Sequence, residues 1–147
     1  MKLLFVLLFT TFTFNTGNEW LTDLDQAKKT AVEKNEYILL NFSGSDWCGP
    51  CMRLRKEIFE SAEFKKYADE HLVLVNADFP RNKKNELSKE QQKKNDQLAE
   101  QYNPNGKFPF TILLDAQGKI VKEWDGLPDL KPGGFVNQIT QISGKGK

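Results

Sequence analysis

The stretch Tyr37-Ile-Leu-Leu-Asn-Phe-Ser-Gly-Ser-Asp-Trp-Cys-Gly-Pro-Cys51 decides the fold of this chain. Its first six residues form a nearly continuous apolar run, which is typical of a strand buried on both faces of a sheet. From Gly49 onward, apolar residues recur at three- and four-residue steps and so share one stripe of a helix. These residues are Cys51, Leu54, Ile58, Phe59 and Ala62. The sequence therefore predicts a strand that passes into a helix at Cys48.

The segments on either side predict an α/β fold with a central mixed β-sheet flanked by helices. Upstream, Thr22 and Asp25 have the spacing of a capping box that opens a helix ending near Asn35. Downstream, the patterns predict a short helix, a second core strand, a hairpin and a closing helix. The predicted ranges are Ala62 to Glu70, Leu72 to Ala77, Phe110 to Leu114 with Lys119 to Trp124, and Gly134 to Ile142.

The segment from Pro80 to Gln97 is almost entirely polar and precedes a helical stretch through Leu98, Ala99 and Tyr102. We interpret it as a solvated insertion. The alternative is a docking surface for a redox partner, in which Arg81, Lys83 and Lys84 would meet an acidic surface.

Length and composition limit the class of protein. The chain has 147 residues, so a single domain over residues 18–147 is expected, and we expect it to be a monomer. Its 21 Lys and Arg nearly balance its 20 Asp and Glu, so binding to nucleic acid or to an anionic membrane is not predicted. Apolar residues make up 39% of the chain, enough for a packed core.

The N-terminus has the layout of a secretory signal peptide. Lys2 precedes an apolar run from Leu3 to Phe9, and a Thr- and Phe-containing stretch extends to Gly17. The alternative is a membrane anchor, but the apolar run is shorter than the roughly 20 residues that cross a bilayer. We therefore predict a signal peptide over residues 1–17, cleaved near residue 17, and export to the periplasm or the extracellular space.

Cys48 and Cys51 are the only cysteines, and their C-x-x-C spacing at a strand-to-helix junction indicates redox chemistry. A thiol at a helix N-terminus faces unpaired backbone N–H groups and the positive end of the helix dipole, which favour the thiolate. Cys48 is therefore the predicted nucleophile. Cys51 lies one turn further along the helix and is the predicted resolving thiol.

Two alternatives compete with redox catalysis. A structural disulfide would close a very short loop and stabilise the fold by only about 2 kcal/mol. A zinc site usually needs four ligands, whereas the chain has two Cys and one His. We predict no metal and no organic cofactor, the redox group being the Cys48–Cys51 disulfide itself.

Three segments resemble the active-site loops of the thioredoxin superfamily. The sequence from Trp47 to Cys51 resembles the thioredoxin active site, and Lys107-Phe108-Pro109-Phe110-Thr111 resembles the loop that carries the family's cis-proline. Asp125-Gly126, which follows the second predicted hairpin strand, resembles the third active-site loop of this superfamily. The resemblance implies the thioredoxin fold, and residues 43–46 are more similar to small exported members than to cytosolic thioredoxin.

The resemblance also implies roles for individual residues. Trp47 would shield the thiols and contact substrate, with plain core packing as the alternative. Pro109 would be cis and present backbone groups to an extended substrate, with an ordinary trans turn as the alternative. The remaining implied site residues are Gly49 and Pro50 as active-site support, and Phe108 and Gly126 on the substrate side.

The chain departs from the family pattern at Asn41. Cytosolic thioredoxins carry a buried Asp on the strand before the active site, and it is thought to move protons during resolution. Asn cannot act as a general base. The residue that assists resolution is therefore not predicted by the sequence.

The resemblance implies an extracytoplasmic thiol:disulfide oxidoreductase that reduces disulfide-containing protein substrates. The Gly49-Pro50 dipeptide favours reduction, because the family's reducing members share it. In an oxidising compartment the protein would need an electron donor, for which a membrane thiol transporter is the expected type. A disulfide oxidase or isomerase, and a non-catalytic binding module with the same fold, remain as alternatives.

Overall fold

The structure, a computed structural model, describes residues 19–144. This part of the chain contains a four-stranded sheet with the order β2-β1-β3-β4. Strand β1 is parallel to β2 and antiparallel to β3, and β3 is antiparallel to β4. The strands are β1 (Tyr37–Ser43), β2 (Leu72–Asp78), β3 (Phe110–Leu114) and β4 (Ile120–Asp125). The predicted mixed sheet is confirmed, and the predicted signal peptide lies outside the described residues.

Helices cover both faces of the sheet. One apolar cluster joins the sheet to the first and fourth α-helices, and a second joins it to the other three. The helices are α1 (Leu24–Lys34), α2 (Gly49–Leu54), α3 (Ala62–His71), α4 (Lys89–Tyr102) and α5 (Pro132–Ser143). Between residues 19 and 144, no helix is long and apolar enough to cross a membrane.

Strand β1 is buried on both faces, as its apolar run predicts. Ile38 and Phe42 belong to the cluster with α1 and α4, whereas Leu39 belongs to the cluster on the opposite face. Because side chains alternate along a strand, Asn41 lies on the same face as Leu39. Asn41 is therefore placed on the side of the sheet that α2 covers.

The N-terminus of α1 differs from the prediction. The residue that caps α1 is Asp23, whose carboxylate accepts a hydrogen bond of 2.9 Å from the Gln26 N–H, so the expected Thr22–Asp25 capping box is wrong. Asp23 also forms an ion pair of 2.9 Å with Lys94 on α4. This ion pair joins two helices that are distant in sequence, and a local pattern does not reveal such a contact.

The predicted helical stripe from Cys51 to Ala62 is interrupted. A π-helical turn, Arg55–Phe59, follows α2 directly, and the Glu60 N–H donates to the Arg55 carbonyl. Ser61 then caps α3. Cys51, Leu54, Ile58 and Phe59 are buried as predicted, but Ala62 is exposed because it begins the next helix.

The predicted solvated insertion is partly structured. After a 3-10 turn, Lys83–Asn85, the helix α4 starts at Lys89, nine residues before the first apolar residue of the predicted helical stretch. Asn95 is buried, and its amide donates a hydrogen bond of 2.8 Å to the Asp78 carbonyl. The prediction was wrong at this position because a hydrogen-bonded amide occupies a buried site that apolar periodicity assigns to an apolar side chain.

We predict that Asn95→Ala destabilises the fold. The substitution leaves the Asp78 carbonyl without its Asn95 partner, and it removes a hydrogen bond between Asn95 and Gln91. The free energy of unfolding should fall by roughly 1–3 kcal/mol, as for other buried groups that lose a partner. Urea denaturation would measure it. Gln97→Ala, at an exposed position of the same helix, is the matched control, and an equal effect of both substitutions would contradict the prediction.

Candidate active site

Cys48 is the N-cap residue of α2. Its backbone is extended, with φ −95° and ψ 98°, and its Sγ accepts a hydrogen bond of 3.3 Å from the Cys51 N–H. Cys48 and Cys51 form a disulfide with their Cα atoms 5.2 Å apart. An N–H group that points at sulfur stabilises a thiolate more than a thiol. The local geometry therefore favours Cys48 as the more acidic thiol once the disulfide is reduced.

The start of α2 is exposed at Gly49 and Pro50, whereas the two cysteines beside them are buried. Gly49 and Pro50 are exposed, whereas Cys48 is only 5% and Cys51 only 4% exposed. Proline is well suited to the first helical turn, where its missing N–H needs no partner. The exposed residues next to the buried Cys48 are therefore Gly49 and Pro50.

Trp47, which precedes Cys48, is held by a hydrogen bond and by an aromatic contact. Its indole Nε1 donates a hydrogen bond of 2.7 Å to the Phe79 carbonyl, and its ring meets Phe108 edge-on at 5.4 Å between centroids. A Cβ at Gly44 would overlap the indole, so the close approach depends on the absence of a side chain there. Trp47 remains half-buried and belongs to neither core cluster. This position is consistent with the shielding role that the resemblance implies.

The peptide bond between Phe108 and Pro109 is cis, as the resemblance implies for Pro109. The Pro109 carbonyl accepts a hydrogen bond of 2.9 Å from the Gly126 N–H, which fastens the third loop to the cis-proline loop. Within residues 19–144, the backbone N–H and C=O of Phe108 have no hydrogen-bond partner. The backbone groups of Phe108 are therefore available for a hydrogen bond, whereas the carbonyl of Pro109 is already bonded.

Asn41 belongs to a hydrogen-bonded chain across three strands. Its amide donates a hydrogen bond of 3.0 Å to the Asn76 Oδ1 on β2, and its own Oδ1 accepts one of 3.0 Å from the Thr111 hydroxyl on β3. Asn41 and Thr111 are both buried. All three side chains are uncharged, so the network avoids the cost of burying a carboxylate.

A cavity of about 560 Å³ lies behind the disulfide. Its lining includes Cys51 together with Asn41 and Asn76 from the sheet. The lining also includes charged residues from the helical side, namely Arg55, Lys56, Glu60 and Lys65. Apolar side chains, among them Trp20, Phe59 and Leu74, make up much of the remaining lining. The cavity is large enough to hold water, and Cys51 forms part of its wall.

Sequence reasoning missed the carboxylates that join two loops at this site. The Asp46 carboxylate accepts hydrogen bonds of 2.9 Å from the backbone N–H groups of Arg81 and Asn82, and another of 2.9 Å from the Asn85 amide. Asp78 in turn accepts a 2.9 Å hydrogen bond from the Ser45 N–H. Residues 45–47 and 78–85 therefore form one unit, which no local pattern in the sequence signals.

The hydrogen bonds to Asp46 favour its ionised form. They lower the pKa of the carboxyl group from 3.8 to about 2, chiefly through the Arg81 N–H and next through the Asn85 amide. The carboxylate is therefore charged at any pH at which the protein would act.

Comparison with known proteins assigns the family. The family model of the thioredoxin-like domain matches residues 24–131. This chain belongs to the thioredoxin-like family. Among solved structures, that of a DsbH oxidoreductase is similar to this thioredoxin-like protein with a TM-score of 0.77 and 32% identity, over 86% of this chain and 84% of that one. A thioredoxin from Thermus thermophilus has a TM-score of 0.62 at 13% identity, over 86% and 87% of the two chains, which shows the shared fold.

Curated relatives of this thioredoxin-like protein come from Chlamydia pneumoniae. The disulfide bond reductase DsbH is 35% identical over 117 residues, which cover 80% of this chain and 66% of the relative. The thioredoxin-related protein DsbJ is 42% identical over 60 residues, which cover 41% of this chain and 17% of the relative. The chain therefore spans just under two thirds of DsbH and a small part of DsbJ.

We predict that Asp46→Asn reduces the loss of stability in acid. The folded-state pKa of Asp46 lies below its ordinary value of 3.8, so its contribution to stability is complete above that value and is lost as the pH falls toward about 2. Urea denaturation between pH 5 and pH 2 should therefore show a shallower decline in the variant than in the unmodified protein.

Asp129→Asn is the control for this experiment. Asp129 is exposed and has no hydrogen-bond partner among the described residues. Identical pH dependence in the Asp46→Asn variant and the unmodified protein would show that the three donors do not favour the charged form.

Proposed function

We propose that this protein is an exported thiol:disulfide oxidoreductase that reduces protein disulfides through Cys48 and Cys51. The observation that carries the proposal is the Cys48 Sγ at the N-terminus of α2, bonded to Cys51 and facing its N–H. The similarity to a protein named disulfide bond reductase supports the reducing direction. The Gly49-Pro50 dipeptide supports the same direction by resemblance.

The proposed reaction exchanges one disulfide for another. The Cys48 thiolate attacks a sulfur of the substrate disulfide, and the first substrate thiolate leaves and takes a proton from solvent. Cys51 then loses its proton and attacks the Cys48 Sγ of the mixed disulfide, which releases the second substrate thiolate. The substrate gains two electrons, and the protein ends with the Cys48–Cys51 disulfide. An external thiol donor must return two electrons before the next cycle.

Substrate recognition is proposed to use the Phe108 peptide group. Its backbone N–H and C=O have no partner within the described residues, and they suit an extended substrate segment that adds to this loop as a strand would. Trp47 and Gly126 border the loop through their contacts with Phe108 and Pro109. The substrate would then lie beside Cys48.

The proton that leaves Cys51 is proposed to pass to water in the cavity behind the disulfide. Asn41, Asn76 and Thr111 are uncharged at every relevant pH and cannot accept it. The lining of this cavity contains Cys51 together with polar side chains from the sheet, Asn41 and Asn76. This route requires no buried carboxylate.

We further propose that the protein is exported and that it depends on an external thiol donor. Residues 1–17 would act as a cleaved signal peptide, which places the monomeric domain in the periplasm or outside the cell. Such a compartment is oxidising, so reduced thiols must be resupplied by a donor, for which we propose a membrane thiol transporter. No metal or organic cofactor is required by the exchange reaction.

We predict that the protein accelerates the reduction of insulin disulfides by dithiothreitol. We also predict that the Cys51→Ser variant accumulates covalent complexes with disulfide-containing proteins. In this variant the attack by Cys48 proceeds but resolution does not. Turbidity would follow insulin reduction, and non-reducing electrophoresis would reveal the trapped complexes.

Cys48→Ser is the matched control for trapping, because it removes the nucleophile and retains the second thiol. It should accumulate no complexes. Equal trapping by the two variants would show that the assignment of the nucleophile is wrong, and a lack of insulin reduction would argue against the reductase.

We also predict that Asn41→Asp speeds the resolution of a preformed mixed disulfide near neutral pH. A carboxylate on the wall of the cavity can accept a proton from Cys51 more readily than water can. Burial raises the pKa of a carboxyl group, so the rate should rise with pH as the introduced group ionises. The same substitution should lower the melting temperature, because the ionised form is buried.

The control for this substitution is Asn41→Leu, which removes the polar group without adding an acid. Stopped-flow measurement of thiol release would compare the two variants with the unmodified protein. An unchanged rate in Asn41→Asp would show that water already moves the proton fast enough.

A further inference from the structure

Arg81 stacks on Trp47, the residue that precedes the proposed nucleophile Cys48, although Arg81 and Cys48 are 33 residues apart in sequence. Its guanidinium carbon is 3.7 Å from the centroid of the Trp47 ring, and Trp47 directly precedes Cys48. Stacking on the indole uses one face of the guanidinium and leaves the N–H groups at its edge accessible. Arg81 is exposed, so a molecule that approaches Cys48 can reach these donors.

The backbone that carries Arg81 is held in place. The Asp46 carboxylate binds the N–H groups of Arg81 and Asn82, and it also binds the Asn85 amide. The Arg81 side chain is therefore held at its backbone by the Asp46 carboxylate and at its guanidinium by the Trp47 ring. A donor that is already ordered loses less conformational entropy when a ligand binds to it.

The guanidinium has no carboxylate partner within residues 19–144. Asp46 contacts the backbone of Arg81, not its side chain. By contrast, Lys107, also next to the cis-proline loop, forms an ion pair of 2.8 Å with Asp125. Arg81 therefore presents an unpaired cation at the active-site surface, in the planar arrangement that matches a carboxylate.

From this geometry we infer that Arg81 selects protein substrates that carry Asp or Glu next to the cysteine of their disulfide. The inference rests on the proposed function. The Trp47 ring contacts both Phe108 and Arg81. A segment that binds the Phe108 peptide and places its cysteine at Cys48 therefore brings the neighbouring side chain to the Arg81 edge. Lys83 and Lys84, which are exposed in the turn that follows Arg81, add positive charge to the same segment.

Two pairs of disulfide peptides test the inference. In one pair the residue before the cysteine is Glu or Gln, and in the other pair the residue after the cysteine is Glu or Gln. For one of the two positions, the kcat/KM for the Glu peptide should exceed that for the Gln peptide about two- to fivefold, as expected for an exposed ion pair. The difference should lie in KM and shrink as salt is added.

Three substitutions of Arg81 separate charge from packing. Arg81→Gln should bring the Glu-to-Gln ratio to about one, Arg81→Lys should retain part of the preference, and Arg81→Glu should reverse it. The measured quantity is the ratio of kcat/KM for the Glu peptide to kcat/KM for the Gln peptide. A general loss of activity lowers both values equally and leaves this ratio unchanged. Lys93→Gln, at an exposed position on α4, is the control and should leave the ratio as it is in the unmodified protein.

A ratio of one in the unmodified protein for both positions would overturn the inference while leaving the reductase intact. An equal preference in the unmodified protein and in Arg81→Gln would also overturn it, because the selection would then come from another group. If the unmodified protein reduces none of the peptides, the proposed function itself fails, and the inference fails with it.

Discussion

Strand β1 is the constraint on which the rest of the structure depends. It is paired along both edges, with β2 and with β3, and helices bury both of its faces. A strand in this position can shift neither its register nor its direction without exposing apolar side chains. Its C-terminal end is therefore fixed in space, and the segment that follows it starts α2 at a defined point. The parallel strand β2 ends at the same edge, which brings residues 78–85 beside residues 45–47.

The polar side chains around the disulfide are uncharged within the sheet, whereas those at the surface include ionised carboxylates. Behind it, within the sheet, Asn41, Asn76 and Thr111 satisfy one another without a net charge. At the surface, carboxylates are retained, and Asp46 has enough donors to remain ionised in acid. This division follows from the cost of burying a charge, which is large within the sheet and small at a loop that faces water.

Much of the fold could be predicted from the sequence because it depends on local patterns. The apolar runs of the strands and the junction at Cys48 indicate the sheet and its connection to α2. Prediction failed where a distant residue decides the local structure. Asn95 is buried because the Asp78 carbonyl faces it, and no apolar pattern marks that position. The spacing of the cysteines and the resemblance located Cys48, Cys51 and Pro109. Neither indicated that the Asp46 carboxylate binds the backbone N–H of Arg81, because these residues are more than 30 positions apart in sequence.

The π-helical turn Arg55–Phe59 has a consequence for how the family can vary in length. A π turn contains one residue more than the α-helical turn it replaces, and such turns often occur near functional sites. Here the extra residue lies between α2, which carries the cysteines, and α3, which Ser61 caps separately. A single-residue deletion within this turn could convert it to an α-helix and leave the cap of each helix intact. The turn is therefore a point between the cysteines and β2 at which the chain can lose a residue without changing the cap of either helix.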